Sequence, residues 1–295
     1  MNRAYLFPGQ GFQYVGMGKT VYDSSPLARD YFEAANDLLG YRITDIMFHG
    51  PDEKLFETQV VQNAIFLVSL ISALKEGNDY KPSMVAGHSL GETTALVANG
   101  CLSFEDGLML MNERAVEMEN AFRKVPAAMV AVLGLEDRVV ERVCDSIEDI
   151  VVPANYNCPG QLVIAGTKSG VDEACRALTK EGARRFVPLQ VGGAVHSPLM
   201  QPVVDYLEKK LATIKFNEPK CPIYPNVTGV ATINTDEIRE NLTLQQIKSL
   251  RWTTTIQNML MDGATEFVDC GPPHVISGMV RRISKQILIN SAVTM

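Results

Sequence analysis

The segment Gly-His-Ser-Leu-Gly-Glu at residues 87–92 constrains the fold more than any other part of the chain. It follows an apolar run, 83–87, that predicts a short buried strand, and it leads into a helical run at 92–99. A serine between two glycines at a strand-to-helix turn is typical of the nucleophile elbow of α/β hydrolases. The turn would place Ser89 at a helix N-terminus, where unpaired N–H groups and the helix dipole favour developing negative charge. The segment therefore predicts an α/β sheet that carries a serine nucleophile.

The rest of the chain fits one large α/β body with a smaller unit inserted. Predicted strands and amphipathic helices follow one another at 4–7, 26–39, 61–75, 103–122, 222–226 and 266–269. Between residues 126 and 191 the predicted order is strand, helix, strand, strand, helix, strand, which is the ferredoxin-like order. We therefore predict an α/β fold with a hydrolase-like large subdomain, residues 1–125 and 192–295, and an inserted ferredoxin-like α+β small subdomain, residues 126–191. Clefts between such units are common ligand sites.

Charge and composition exclude several classes of protein. The chain of 295 residues has 27 basic and 34 acidic side chains, and its net charge of −7 argues against a nucleic-acid binder. Its longest apolar run, 64–74, is shorter than the roughly 18 residues of a membrane-spanning helix. Pro8 and two glycines stand where a signal peptide would be apolar, so we expect a cytoplasmic protein. The six cysteines and four histidines show no metal-ligand spacing, so we expect no metal site and no disulfide.

The opening loop invites a nucleotide-binding interpretation that its sequence does not support. Glycines follow the first predicted strand, and Gly-Lys-Thr at 18–20 resembles the end of a P-loop. A Walker A motif needs glycine at position 13 and a G-x-G-x-x-G motif needs glycine at position 14, whereas the chain has Gln13 and Tyr14. We interpret the loop as a tight turn.

A serine nucleophile needs a base, and the chain offers four histidines. His88 is adjacent to Ser89, so its side chain should point elsewhere and pack. His49 lies in a Gly-Pro loop and is expected at the surface, and His274 follows two prolines near the end of the chain. His196 lies between the small subdomain and a predicted helix, downstream of the serine as the α/β-hydrolase order requires. His196 is therefore the candidate base, and an exposed loop histidine is the alternative.

Arg114 falls in the middle of the helical run at 103–122. An arginine at such a place usually lies on a solvated face. If it is buried instead, its fork of N–H groups would pair with a substrate carboxylate.

Several segments together resemble the malonyl-CoA:acyl carrier protein transacylases, a family related to the acyltransferase domains of polyketide synthases. They are Phe-Pro-Gly-Gln-Gly at 7–11, residues 87–92, Asn-Tyr-Asn-Cys-Pro-Gly-Gln at 155–161, Gly-Ala-Val-His-Ser-Pro at 193–198, Tyr-Pro-Asn-Val-Thr at 224–228, Arg-Trp-Thr at 251–253 and Gly-Pro at 271–272. The resemblance runs from about residue 3 to residue 283 in the family's motif order. It implies a hydrolase-like body with a ferredoxin-like insert, which agrees with the order of elements above.

The resemblance implies a role for each residue that matches the family's catalytic pattern. Ser89 would take the malonyl group from CoA as an ester. His196 would act as general base and then protonate the leaving thiol. The backbone carbonyl of Gln245 would hold this histidine, and the N–H groups of Gln10 and Leu90 would form the oxyanion hole.

The resemblance also implies an acyl pocket, and here the chain departs from the family. Arg114 would grip the free malonyl carboxylate, and Gln62 would line the same pocket. Val195 stands before the histidine where malonyl-selective members usually carry Phe or sometimes Ser, which predicts a roomier wall. Asn63 replaces a usual Pro, Pro-His at 273–274 replaces a usual Gly-Lys, and residues 248–250 lack the Pro common before Arg-Trp-Thr. These departures concern acyl selectivity more than the chemistry.

The resemblance implies an acyltransferase that moves a malonyl group from malonyl-CoA to the phosphopantetheine thiol of acyl carrier protein in two steps, supplying fatty acid synthesis. It implies no cofactor, because the CoA thioester is itself a substrate. The alternatives are an acyl-thioester hydrolase or editing relative, a transacylase of a polyketide pathway with altered selectivity, and a carrier-protein binding module without activity.

Carrier proteins are acidic, so the resemblance leads us to expect a basic lip near the cleft. The candidates are Arg184, Arg185, Arg281 and Arg282. The alternative is that these arginines are solvated charges at helix ends.

Overall fold

A computed structural model describes residues 2–271, 275–284 and 288–291, which form two packed units. The larger unit contains a four-stranded sheet built from β1 (Arg3–Phe7), β2 (Met84–Gly87), β7 (Glu266–Asp269) and β8 (Leu288–Ser291). Its strand order is β2-β1-β7-β8, and every pair is parallel. Parallel strands need crossover connections, and helices on the faces of the sheet are part of these connections.

The helices of the larger unit surround this sheet. They are α1 (Lys19–Ser24), α2 (Pro26–Leu39), α3 (Ile43–His49), α4 (Asp52–Leu55), α5 (Thr58–Leu74), α6 (Gly91–Ala98), α7 (Phe104–Phe122), α10 (Gln201–Leu211), α11 (Thr235–Leu244), α12 (Trp252–Met261) and α13 (Val275–Ile283). Helix α5 is apolar almost all round, and every residue from 60 to 73 is buried, as expected for a helix in the centre of a core. Helix α7 begins where the sequence predicts, because the hydroxyl of Ser103 accepts from the amide of Asp106.

The smaller unit has the ferredoxin-like arrangement. Its elements are β3 (Ala127–Leu133), α8 (Asp137–Asp145), β4 (Val151–Cys158), β5 (Gln161–Thr167), α9 (Lys168–Lys180) and β6 (Arg185–Pro188). The strands pair antiparallel in the order β4-β5-β3-β6, as the βαββαβ sequence pattern predicts. These elements lie within 126–191, and the two boundaries themselves stay a prediction.

The sheet of the smaller unit faces two different cores. Val130 and Val132 pack under α8 and α9 in the core of the small subdomain. Their neighbours Met129 and Ala131 point the other way and belong to the core of the large subdomain. Alternation with a period of two along a strand produces this division, so the inserted sheet is packed on both sides.

One predicted strand differs from the structure, and one observed strand was not predicted. The predicted strand at 222–226 is wrong: Ile223 forms isolated bridges with Val85 and Thr232, and no named strand forms. Pro222 and Pro225 carry no N–H group, so the ladder does not extend. Strand β8 has no counterpart among the predicted strands; it pairs in parallel with β7.

Candidate active site

Ser89 stands on the sharp turn between β2 and α6. Its backbone φ is +54°, in the left-handed region that side-chain-bearing residues seldom adopt. The glycines make the turn possible, because a Cβ on Gly87 would collide with the backbone of Gly91, and one on Gly91 with the carbonyl of Phe7. The amide of Ser89 donates to Oδ1 of Asn226 at 2.8 Å, which fixes the strained turn.

His196 lies beside the serine and is held in one tautomer. Its Nε2 is 2.9 Å from Oγ of Ser89, and its Nδ1 is 2.6 Å from the carbonyl oxygen of Gln245. A carbonyl can only accept, so Nδ1 carries the proton and Nε2 accepts from the serine hydroxyl. Burial, together with the nearby charge of Arg114, lowers the pKa of His196 to about 3, although the hydrogen bond to Gln245 opposes the shift. At neutral pH the imidazole is therefore a neutral base, aimed at the serine.

The backbone amides predicted for the oxyanion hole are those of Gln10 and Leu90. Gln10 lines the same pocket as Ser89, and Leu90 follows the serine at the N-terminus of α6. Neither amide has an acceptor among the described residues. In an elbow of this kind the oxyanion binds to the amide after the nucleophile and to one from a neighbouring loop. Leu90 is the residue after the nucleophile and Gln10 lies in the loop after β1, and their role as the oxyanion hole stays a prediction.

Arg114 is buried, with 3% of its surface exposed, so the solvated-face alternative does not hold. Its Nη1 donates to Oε1 of Gln62 at 2.7 Å, and its Nε donates to Oε1 of Gln246 at 3.0 Å. Its Nη2 has no acceptor among the described residues. Burial lowers its pKa to about 10, and the charge of Glu92 opposes that shift. The guanidinium is thus a buried cation at neutral pH with donor capacity to spare.

A pocket of about 80 Å³ connects these groups. Ser89, His196 and Arg114 line it, together with the predicted wall residue Val195 and with Met129 of the small subdomain. Several of its lining residues also line a larger cleft of about 450 Å³ between the two units. A small polar-ended pocket beside a larger cleft suits a short acyl group attached to a long carrier.

The other histidines have different surroundings. Nε2 of His88 lies 2.9 Å from Oδ1 of Asn157, and its ring meets the edge of Trp252 at 5.4 Å between centroids, which is a packing role. His49 is exposed at the end of α3. His274 lies outside the described residues.

A buried carboxylate beside the elbow is not evident from the sequence. Oε2 of Glu92 accepts from the amide of Asn226 at 2.9 Å and from Nε2 of Gln245 at 2.8 Å. Burial raises the pKa of Glu92 to about 7. The carboxylate thus joins the segment that holds Ser89 to the residue that holds His196. The Glu92 side chain belongs to the motif at 87–92, but its partners lie more than 130 residues away, and no local pattern reveals them.

The departures from the family pattern near position 249 leave the histidine contact intact. Ser249 donates its hydroxyl to the carbonyl of Pro153 at 2.6 Å, and the amide of Leu250 donates to the carbonyl of Ala154 at 2.8 Å. These contacts tie the segment before Arg251 to β4. Asn63, in place of the usual proline, donates to the side chain of Asn112 at 2.9 Å.

No group of three or more His, Cys, Asp or Glu side chains is placed to hold a metal ion within 2–271, 275–284 and 288–291. In those same ranges, no helix has both the length and the apolar character to cross a membrane. The six cysteines are free thiols.

Comparison with known proteins gives consistent similarities over nearly the whole chain. Residues 4–291 match the acyl transferase domain family. The malonyl CoA-acyl carrier protein transacylase of Bacillus subtilis is 35% identical over 289 residues, covering 96% of this chain and 91% of the relative. The solved structure of the Coxiella burnetii malonyl CoA-acyl carrier protein transacylase is 34% identical with a TM-score of 0.95, covering 99% of this chain and 93% of that one. A malonyl-transacylase in complex with a type II polyketide synthase acyl-carrier protein also has a TM-score of 0.95 at 34% identity, covering 99% and 96%.

Proposed function

The chain belongs to the acyl transferase family, and from that membership we propose that it transfers a malonyl group from malonyl-CoA to the thiol of acyl carrier protein through an ester on Ser89. The observation that carries the proposal is the buried cation at the end of a serine-histidine pocket. Nη2 of Arg114 has no acceptor among the described residues, and the residue lines the same small pocket as Ser89 and His196. An acyl group with its own carboxylate satisfies both ends of that pocket.

The first half-reaction follows from the hydrogen bonds of the site. Nε2 of His196 takes the hydroxyl proton as Oγ of Ser89 attacks the thioester carbonyl. The amides of Gln10 and Leu90 bind the oxyanion of the tetrahedral intermediate. When the intermediate collapses, the C–S bond breaks and the proton passes from Nε2 to the CoA sulfur. The products are malonyl-Ser89 and free CoA.

The second half-reaction reverses these steps with a different thiol. His196 takes the proton of the phosphopantetheine thiol, the sulfur attacks the serine ester, and the proton returns to Oγ of Ser89. One serine serves both thiols, so the course is ping-pong. The carbonyl of Gln245 stabilises the imidazolium formed in each half, because it accepts from Nδ1 at 2.6 Å. The proposed reaction uses no cofactor, since the thioester is a substrate.

Intact-protein mass after brief incubation with malonyl-CoA or acetyl-CoA tests the proposal. We expect a malonyl adduct on the wild type, little acetyl adduct, and no adduct on Ser89→Ala. Transfer of the adduct to added holo-acyl carrier protein completes the assignment. Free CoA accumulating without a carrier protein, as fast as turnover with one, would instead identify water as the acceptor and a hydrolase as the function.

The pathway and the place of action belong to the same proposal. Under this assignment the malonyl group supplies fatty acid synthesis in the cytoplasm. The similarity to a malonyl-transacylase solved with a type II polyketide synthase carrier protein favours polyketide synthesis as the second candidate. Loading rates for carrier proteins of the two kinds, measured side by side with the same malonyl-enzyme, distinguish them.

The carrier protein is proposed to dock on a groove of the small subdomain whose lining has three arginines and two acidic residues, Glu136 and Asp137. Exposed Arg184 and Arg185 line this groove together with Arg282 of α13, whose Nη1 donates to Gln161 at 3.0 Å at the rim of the cleft. Arg281 is exposed on the same helix but is not among the residues that line the groove. Reversing the charge at 184 and 185 should raise KM for carrier protein about three- to tenfold and leave KM for malonyl-CoA unchanged. The matched control is Arg123→Glu, at an exposed arginine just after the last residue of α7. Equal shifts in both KM values contradict the docking site.

A further inference from the structure

The guanidinium of Arg114 is clamped from two sides before any substrate arrives. It has five N–H groups; one from Nη1 goes to Gln62 and the one on Nε goes to Gln246. One N–H on Nη1 and two on Nη2 remain. A carboxylate can pair with a guanidinium in a bidentate manner along the Nη1–Nη2 edge or along the Nε–Nη2 edge. Because Gln246 occupies Nε, the Nη1–Nη2 edge is the one on which each nitrogen keeps a free N–H group.

Gln246 is itself held rigidly. The side chain is 1% exposed. Its Nε2 donates to the carbonyl of Leu242 and to Oε1 of Gln245, each at 3.3 Å. Both amide hydrogens are thus engaged, which fixes the orientation of the amide and points Oε1 at Arg114. An acceptor fixed in this way selects one rotation of the guanidinium.

Gln246 lies in a tight turn with its neighbour Gln245, and this turn also supplies the contact that holds the catalytic histidine. Gln245 and Gln246 follow the last residue of α11, and their amides donate back to the carbonyls of Asn241 and Thr243. The carbonyl of Gln245 holds His196, while the side chain of Gln246 holds Arg114. Consecutive residues therefore set the position of the base and the position of the acyl anchor relative to each other.

We propose that Gln246 is a specificity-determining positioning residue, which closes the Nε edge of Arg114 so that the Nη1–Nη2 edge receives the carboxylate of the acyl group. The proposal rests on the proposed function of malonyl transfer. It predicts that loss of Gln246 lets the carboxylate bind along the Nε–Nη2 edge as well. The acyl carbonyl then lies away from Ser89 in part of the bound population, so the rate of malonyl transfer falls although binding does not weaken.

The test is the single-turnover acylation of Ser89 by malonyl-CoA and by acetyl-CoA, over a range of concentrations, with Gln246→Leu. We expect the saturating rate constant with malonyl-CoA to fall about tenfold, without a rise in the concentration that gives half of that rate. Acetyl-CoA, which has no free carboxylate, should react within about twofold of the wild type.

A second variant keeps the acceptor and changes the charge. In Gln246→Glu a carboxylate oxygen can accept from Nε, so the saturating rate with malonyl-CoA should recover, while repulsion of the substrate carboxylate raises the half-saturating concentration. Asn36→Leu, which removes a buried amide far from the pocket, controls for lost stability and should leave the ratio of malonyl to acetyl rates unchanged.

Each outcome separates this proposal from the function on which it rests. If both acylation rates fall together in Gln246→Leu, or if neither changes, Gln246 has a structural role only and the proposal is overturned. If the wild type forms no malonyl ester at all, the proposed function is wrong.

Discussion

The core of the small subdomain is apolar throughout, whereas the core of the large subdomain encloses a connected set of polar side chains. Under α8 and α9 the buried residues are Val, Leu, Ile, Ala and Cys. Of the described buried polar residues, the small subdomain holds only Asn155 and Asn157, and both line the cleft from β4. The large subdomain buries Glu92, Arg114 and His196 within a single network of contacts.

This contrast indicates how the catalytic and substrate-binding roles are divided between the two subdomains. Burying polar and charged groups costs free energy, and a large apolar core such as that around α5 offsets the cost. The large subdomain therefore carries the reacting groups, and the small one supplies a wall and a rim. Substitutions in the first should change rates by orders of magnitude, and substitutions in the second should change selectivity by small factors.

The largest effect is expected from the base. His196→Ala should slow acylation of Ser89 by about 10⁴-fold or more, because no other side chain accepts the hydroxyl proton. Stopped-flow measurement of CoA release gives the rate. His49→Ala, at an exposed position on α3, is the control and should retain full activity. A loss of less than tenfold in His196→Ala would mean that Ser89 and His196 are not the reacting pair. It would also contradict the division of roles between the two subdomains.

A smaller but selective effect is expected from the buried cation. Arg114→Ala should lower the specificity constant for malonyl-CoA about 10²- to 10³-fold, because the substrate carboxylate loses its charged partner in a site shielded from water. The rate with acetyl-CoA should stay within a few-fold of the wild type. Competition between the two thioesters, read as the ratio of the two adduct masses, measures the change. Equal losses for both would make Arg114 structural rather than selective.

Burial of the Glu92 carboxylate should make the free energy of unfolding depend on pH. The pKa of Glu92 is raised to about 7 in the folded protein, against about 4.3 in an unfolded chain. Both states are protonated below pH 4, so this penalty appears as pH rises from about 4.3 to 7 and is constant above. Glu92→Gln has no ionisable group at this position. Its unfolding free energy relative to that of the wild type should therefore rise by about 3 kcal/mol as pH increases from 4 to 8.

Urea unfolding of the two proteins at several pH values gives this difference directly. Glu141→Gln, at a half-buried carboxylate of the small subdomain outside this network, is the control variant. A Glu92→Gln difference that does not change with pH would show that the large subdomain holds this carboxylate without penalty.

The smallest effect, a change in acyl selectivity, is expected from Met129 in the wall of the acyl pocket. Met129→Ala enlarges the acyl pocket from the small-subdomain side, so the preference for a 2-methyl-branched malonyl thioester over malonyl-CoA should rise about tenfold. Val130→Ala is a matched control, because it lies next on the same strand but faces the core under α8 and α9. A shift of equal size in both variants would mean that loosened packing, not pocket shape, controls selectivity.

The sequence predicts the fold well because the fold depends on local patterns. The glycines around Ser89 and the helical and strand periodicities are readable over a few residues. The position of His196 next to the serine could be proposed from chain order and motif resemblance. The contacts of Glu92 and Gln246 could not, because they join residues far apart in the chain inside one core. The predicted strand at 222–226 is wrong for a related reason: its apolar character reflects burial, and two prolines prevent a ladder.

The alternating side chains of β3 have a mechanical consequence. Because Met129 and Ala131 are embedded in the core of the neighbouring unit, the inserted sheet cannot swing outward as a hinged door without exposing apolar surface to water. The cleft between the two subdomains is therefore expected to keep its shape rather than open and close. Coenzyme A and the phosphopantetheine group of the carrier protein must then use the same cleft one after the other. The shape of the molecule thus requires coenzyme A to leave before the carrier protein can react.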